Sequence, residues 1–204
     1  MIHELISERK SIRAFAGKEI DAEVLVQLFE AARWAPSSRN EQPWRFIVAR
    51  KAEKESFEKI LLCLNESNRG WARHAAVLII TIAKKTFGED TLLNSHAQHD
   101  VGLAIGNLSL QATAMGISLH QMGGFDKDAT RTFFTIPAEY EAVSIIAGGY
   151  KGSLEMLPEN MRQRELQPRI RKNLDELIFS DMFGKKSSLL NNIHNIADGN
   201  NKSN

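Results

Sequence analysis

Apolar positions along this chain fall into two spacings, and the switch between them divides the sequence into elements. From Ala22 to about Arg33, the residues Val24, Leu25, Leu28, Phe29 and Ala32 recur at helical intervals, which predicts an amphipathic helix. Asp21 stands where a capping residue belongs, and Pro36 closes the segment. Phe57, Ile60, Leu61 and Leu64 mark a second amphipathic helix. Trp44 to Ala49 reads as a strand. Ala75 to Ala83 (AAVLIITIA) is apolar at almost every position, which predicts a strand buried on both faces. The longest helix runs from about Leu92 to Met115, and Gly116 ends it. Its part Val101 to Met115 is small and apolar on most sides, so burial on more than one face is expected, with a twofold-related second copy as the cover. A strand at Ser118 to Met122, a short helix capped by Asp126 and a strand at Glu141 to Ala147 follow. Gly149 to Arg171 is loop-rich, with Pro158, Pro168 and many charges, and Leu174 to Phe179 predicts a last short strand. Helices and strands alternating in this way give an α+β or α/β layered domain.

Composition narrows the function. At 204 residues, 43% of them hydrophobic, the chain can bury a substantial core as one domain. A net charge of +1 argues against a general binder of nucleic acid or membrane surfaces, which carries a clear basic excess. The single cysteine, Cys63, excludes an intrachain disulfide and lies in the apolar run Ile60 to Leu64, so it reads as a core thiol. The N-terminus lacks the order of a signal peptide, and the longest apolar stretch is too short to span a bilayer. A cytoplasmic location is the expectation. After Gly184 the chain turns polar and rich in Asn, Asp and Ser, so residues 1–183 are expected to form the domain and residues 184–204 a flexible tail.

Four short stretches carry candidate chemistry. In Arg9-Lys10-Ser11-Ile12-Arg13, an extended backbone turns Arg9, Ser11 and Arg13 to one side, where two guanidinium groups and a hydroxyl suit a phosphate; a solvated basic loop is the alternative. Ala35 to Trp44 crowds hydroxyls and amides into a tight loop that suits a polar heterocycle or simply its own turn bonds. Gln121-Met122-Gly123-Gly124-Phe125 pairs glycines at a strand end, where backbone N–H groups can approach a planar ligand, or where the chain merely turns. Arg169-Ile170-Arg171-Lys172 repeats the alternating basic pattern and could complete a phosphate site or form a solvated charge run.

In this order the four stretches resemble the nitroreductase family. RKSIRAF and EAARWAPSSRNEQPWRFIVA are similar to its opening, GLAIGNLSLQATAMGISLHQMGGFD to its central helix and flavin-facing turn, and GGYKGSLEMLPENMRQREL with PRIRKNLDELIF to its C-terminal part. The resemblance spans about residues 3 to 180, with PSSRNEQPW its most specific piece. It implies a three-layer α-β-α sandwich on a central mixed sheet and a homodimer that exchanges its C-terminal strand, Leu174 to Phe179. It also implies a non-covalently bound flavin mononucleotide (FMN), with NADH or NADPH as reductant. The acceptor is a small electron-poor molecule such as a nitroaromatic or a quinone.

By the same resemblance, Arg9, Arg169 and Arg171 hold the FMN phosphate and Ser11 bonds near the ribityl chain. Arg13 faces the N1/C2-carbonyl edge, where a cation favours the reduced ring. Pro36, Ser37, Ser38 and Asn40 match a loop that reaches the flavin from the partner subunit. Gly124 matches the residue whose amide points at flavin N5. Gly123 departs from relatives that carry Glu there, although a Gly-Gly turn also occurs in the family. Gln121 and Met122 would lie beside the ring, and Asn68 would touch its pyrimidine edge. No side chain is required as a nucleophile or strong acid, because the cofactor carries the reaction. A specialised branch (reductive dehalogenation or flavin fragmentation), a non-catalytic flavin holder and a non-flavin binder of phosphorylated ligands remain the alternatives.

Other residues weigh less. His96 and His99 lie three apart but lack a matching ligand set, so no metal site is expected. His120 could shape the acceptor pocket or donate a proton, or be a satisfied structural histidine. Trp71, Phe87 and Phe125 could roof a substrate or pack in the core, and Lys84-Lys85 reads as a solvated strand end.

Overall fold

A computed structural model of the chain describes residues 2–88 and 92–191. By contact density it divides into two compact units, His3–Glu165 and the segment that begins at Leu166. The first unit is built on four strands: β1 (Trp44–Arg50), β2 (Val77–Lys84), β3 (Ile117–Met122) and β4 (Tyr140–Tyr150), in the order β1-β2-β4-β3. The helices are α1 (Glu4–Glu8), α2 (Ala22–Arg33), α3 (Lys54–Cys63), α4 (Glu66–Ala72), α5 (Ala97–Ala114), α6 (Lys127–Phe133) and α7 (Glu159–Leu166).

The sheet has two apolar faces, and each is covered. Val77, Ile79 and Ala83 of β2 pack with Leu25, Leu28 and Ala32 of α2 and with Val101, Ala104 and Leu108 of α5. The alternate residues Leu78, Ile80 and Ile82 pack with Phe57, Ile60 and Leu61 of α3 and Trp71 of α4. This strand-period alternation with apolar residues on both sides is why β2 reads as one continuous hydrophobic run. Three layers, α-β-α, result. Thr81 and Ser144 are the polar pair inside this core, at the register shift of the β2–β4 ladder. Their hydroxyls bond at 2.8 Å, and the Ser144 N–H donates to Thr81 Oγ1 at 3.0 Å, so both groups are satisfied where the ladder is irregular.

The expected mixed sheet is not what forms: all three strand pairings are antiparallel. The cause lies in the connections. The α3–α4 excursion leaves β1 and returns to the same end, where the Lys51 N–H donates to the Ala76 carbonyl at 2.9 Å and Arg50 pairs with Val77. The β3–α6–β4 connection likewise brings the chain back antiparallel to the strand it left. Helical connections do not force parallel strands when both ends of the excursion meet.

Other differences are local. The helix expected from Leu92 begins at Ala97. Leu93 instead bridges to Thr86, and the Asn94 side chain accepts the His96 N–H just ahead of α5. Asp21 occupies the N-cap position of α2 but makes no side-chain cap bond, whereas Asp126 accepts the N–H groups of Asp128 and Ala129. The stretch expected to be loop carries α7 as well as the end of β4. In the second unit, Leu174 to Phe179 is not a strand. Leu174–Glu176 is a single 3-10 turn closed by a reciprocal capping box between Asn173 and Glu176. Within this unit the extended backbone that follows makes one bridge, Phe179 to Lys186. Of the tail expected from residue 184, residues 192–204 lie outside the described residues. Ser187, before that point, is buried and bonds Ser180 at 2.7 Å.

The N-terminal segment is fixed to the sheet by a short clamp. The Ala16 N–H donates to the Tyr150 carbonyl at 2.9 Å, and the Gly152 N–H to the Ala14 carbonyl at 2.8 Å. Phe15, 1% exposed, is thereby pressed into the core. Gly152 permits the approach, since a Cβ there would lie 2.7 Å from the Phe15 carbonyl carbon and 2.8 Å from the Ala16 nitrogen. Both obstacles are backbone and cannot rotate away. Gly152→Ala is therefore expected to cost roughly 1–3 kcal/mol. In a domain of this size, melting temperature falls by roughly 2–4 °C per kcal/mol, which calorimetry measures directly.

Candidate functional site

The clamp sets the position of the residues just before it. Ile12 is buried, and its carbonyl lies 2.8 Å from His120 Nδ1. A carbonyl can only accept, so Nδ1 carries the proton and Nε2 the lone pair. His120 stands on the β3 face that turns toward α4, and its ring packs on Trp71 with centroids 4.5 Å apart. The Arg13 guanidinium lies over the same indole at 5.9 Å. Arg13 Nη1 donates to Glu165 Oε1 at 2.7 Å, in an ion pair whose carboxylate side chain is only 9% exposed. Arg9 Nη1 donates to Ser11 Oγ at 3.3 Å. Arg9, Ser11 and Arg13 thus sit on one short segment in the first unit, with Arg9 and Arg13 half-buried and Ser11 exposed.

Electrostatics keep His120 neutral. Burial pushes its imidazole below the ordinary value, and the positive charges of Arg13 and Arg9 push the same way. The hydrogen bond to Ile12 and the carboxylate of Glu165 oppose them without prevailing. Burial raises the Cys63 thiol above its usual range, as suits a core cysteine and not a nucleophile.

The glycine turn joins this cluster through α4. Asn65 caps α4 by accepting the Asn68 N–H at 2.9 Å. The Gly124 carbonyl then accepts the Asn65 N–H at 3.1 Å and Asn68 Nδ2 at 3.2 Å. A Cβ on Gly124 would lie 2.3 Å from Asn65 Nδ2, so the position tolerates glycine alone without rearrangement. Gly123 is exposed, with open space where a Cβ would stand. Asn68 and Trp71 are one helical turn apart, so a single face of α4 serves both the glycine turn and the arginine cluster. These features suit a planar, anionic group: open backbone at Gly123 and, one turn along α4 from the residue that holds the glycine turn, a cation over an aromatic ring.

The structure does not bring every expected residue here. Met122, expected beside the ring, is 2% exposed and packs in the core with Ile80 and Ile145. Strand alternation sends its side chain inward while Gln121 stays exposed. The Pro36–Asn40 loop is bound elsewhere, to α5. The buried carboxylate of Asp100 accepts the Ser38 N–H at 2.9 Å, and its other oxygen lies 3.0 Å from His99 Nδ1. Ser37 Oγ accepts the Gln42 N–H at 2.9 Å. Arg39, Asn40 and Gln42 adopt φ of 54°, 54° and 51°, left-handed conformations interrupted by right-handed Glu41, which the backbone holds only when its surroundings impose them. Beside the loop is an open cleft of about 370 Å³, lined by Pro36, Ser38, His99, Asp100 and Leu103. Arg169 and Arg171 belong to the second unit, where both are exposed.

Three residues of this arrangement escaped the sequence reading. Asn65 was legible as a cap before a polar helix start. Glu165 and Asp100 were not, because each acquires its role from a partner distant in the chain. Among the described residues no group of three or more His, Cys, Asp or Glu could hold a metal ion.

The depressed His120 basicity has a consequence for stability. Above about pH 6.5 the imidazole is neutral both folded and unfolded, and its burial carries no protonation penalty. As pH falls through that value, the unfolded chain takes up a proton that the folded chain refuses, so stability declines until the lower folded value is reached. His74 is lowered for the same primary reason and adds to the slope. His120→Asn should make the fall of the urea midpoint below about pH 6.5 shallower. An unaltered slope would show that His120 does not titrate in this way.

Comparison with known proteins identifies the family and the fold. The sequence model of the nitroreductase family matches residues 6–150. An uncharacterized 15.4 kDa protein of Mycolicibacterium smegmatis is 30% identical over 147 residues, covering 69% of this chain and 97% of that protein. A putative NADH dehydrogenase/NAD(P)H nitroreductase of Ralstonia nicotianae is 23% identical over 180 residues, covering 79% and 91% of the two chains. A crystal structure described as an oxidoreductase containing FMN superposes with a TM-score of 0.86 at 32% identity, over 91% of this chain and 94% of that one. A Clostridium difficile nitroreductase family protein superposes at 0.70 with 25% identity, over 89% and 99%. With the three layers, the cationic N-terminal segment and the glycine turn all in this arrangement, the chain belongs to the nitroreductase family.

Proposed function

We propose that this chain is an FMN-dependent oxidoreductase that passes reducing equivalents from NADH or NADPH to a small electron-poor acceptor, a nitroaromatic or a quinone. The observation that carries the reading is the conjunction along α4 of the Arg13–Trp71–His120 cluster with the open Gly123–Gly124 turn. When bound there, FMN supplies two-electron chemistry at N5, and the polypeptide supplies binding and charge. Arg13 would meet the pyrimidine edge, where a cation favours the negative charge gained on reduction. Arg9 and Ser11 would hold the phosphate by charge-assisted hydrogen bonds, and by the same chemistry Arg169 and Arg171 are proposed to bind a flavin phosphate. The backbone at Gly123 and Gly124 would face N5, with Gln121 at the rim, and Asn68 would hold the turn and approach the ring edge. No side chain acts as nucleophile. Trp71 and His120, packed against one another at a tilt, would exclude water beneath Arg13.

A homodimer belongs to the same reading. On α5, Gly102, Leu103 and Gly106 are exposed, with open space above both glycines. Small residues of this kind let a second helix approach closely. Trp34, 74% exposed at the end of α2, adds an apolar surface. In such a dimer Pro36, Ser37, Ser38 and Asn40 would reach the partner's flavin, which accounts for a loop tied to α5 and not to its own Arg13. The segment from Leu174 to Phe179 would lie along the partner's sheet. A water-soluble, cytoplasmic protein fits this reading; no helix among the described residues is long and apolar enough to cross a membrane.

The purified protein is expected to be yellow and dimeric. NADH or NADPH should bleach the flavin absorbance anaerobically, and menadione or a nitrofuran should restore it. A colourless protein that cannot be reconstituted with FMN refutes the reading, and a flavin that neither nucleotide bleaches reduces it to a flavin holder. Arg171→Ala should weaken FMN retention by roughly 1.5–3 kcal/mol, about ten- to a hundredfold in Kd. Equal affinity by fluorescence titration would remove Arg171 from the phosphate site.

A further inference from the structure

The Arg13–Glu165 ion pair ties the segment beside the N-terminal clamp to α7. The partners are 152 residues apart in sequence, Arg13 beside the N-terminal clamp and Glu165 near the end of α7. Glu165 gives up most of its hydration, at 9% side-chain exposure, while Arg13 keeps 27%. The carboxylate is therefore poorly screened by water, and its attraction for the guanidinium is correspondingly strong. The contact occupies Nη1 and leaves other donors of the guanidinium fork available. The indole of Trp71 backs the same guanidinium at 5.9 Å. His120, kept neutral, adds no charge. Among the described residues, Glu165 is the carboxylate within ion-pair distance of Arg13.

We propose that Glu165 is a positioning residue that sets how much positive charge Arg13 presents to the flavin. The inference rests on the reading that Arg13 meets the pyrimidine edge. A lone guanidinium there would stabilise the reduced, anionic ring strongly. Paired with a desolvated carboxylate, it acts outward as a dipole whose field falls off faster than that of a free charge. The same bond fixes the plane of the guanidinium, so its remaining N–H groups point in one direction. Glu165 thus holds the reduction potential below the value Arg13 alone would give, which keeps the reduced flavin a better donor to its acceptor.

The test measures the flavin midpoint potential of the FMN-loaded protein by dye equilibration, with Kd for oxidised FMN followed separately. Glu165→Gln should shift the potential to a more positive value and Arg13→Ala to a more negative one. Adding Glu165→Gln to Arg13→Ala should give a smaller positive shift than Glu165→Gln gives alone, because the carboxylate's own field remains but its hold on the guanidinium is gone. A shift in Arg13→Ala with none in Glu165→Gln overturns the proposal and leaves the reading of Arg13 intact. No shift in either overturns both. Should Glu165→Gln fail to fold, Glu165→Asp carries the test: withdrawing the carboxylate by one methylene moves the potential in the same positive direction, and an unchanged value overturns the proposal.

Discussion

The close contact of two backbones, residues 14–16 against residues 150–152, is the constraint on which the candidate site depends. It has no side chain to soften it: Gly152 sits where any Cβ would strike the peptide between Phe15 and Ala16. The two hydrogen bonds across it fix the chain immediately after Arg13 to the end of β4. Phe15, buried by the same contact, packs on Trp71 with ring centroids 6.3 Å apart. A segment that carries two arginines and would otherwise be a solvated loop becomes part of the sheet's apolar face. Its charges are thereby held beside β3 and α4 without an element of their own.

Once that segment is fixed, the remaining features of the site follow from economical use of α4. This seven-residue helix, Glu66–Ala72, is too short to be stable by propensity and is held by its cap and by burial of Trp71 and Ala72. One turn of it serves two tasks. Asn68, together with the Asn65 cap, grips the Gly124 carbonyl, and Trp71 supports Arg13 and His120. Polar groups here find partners distant in the chain: His120 a backbone carbonyl, and one nitrogen of Arg13 the Glu165 carboxylate. Burial and the two nearby cations push the His120 imidazole below its ordinary value, against the opposing pull of Glu165 and of the bond to Ile12. The loop at Pro36–Asn40 is pinned with comparable firmness to Asp100, although its backbone is forced into left-handed conformations. The chain thus contains two rigid polar regions, and the proposed dimer is the arrangement that would bring one of each together.

Much of the fold was legible as periodicity. The α2 helix, the buried β2 strand and the Asp126-capped α6 appear near their expected limits, because each is defined by its own residues and a single buried face. Glycine in the turn at residues 123–124 was legible too, though only the structure distinguishes Gly124, which Asn65 crowds, from Gly123, which stands open. The inward turn of Met122 follows from strand alternation applied against the observed cores. The sheet's all-antiparallel pairing was not legible. Strand direction depends on whether a helical excursion returns to the end it left, and periodicity carries no information about that.

Local chemistry, then, was determined by the sequence itself: which segments are helical or extended, where glycine is needed, and where cations cluster at both ends of the chain. Short-range sterics, hydrogen bonding and the hydrophobic period decide these matters, and they act within a few residues. Tertiary structure alone decided that Ile12 would meet His120 across 108 residues, that Arg13 would be paired by Glu165 and that Ser38 would be tied to Asp100. Such contacts arise only after the layers pack, because the cost of burying a polar group selects its partner from whatever the fold has brought within hydrogen-bonding distance.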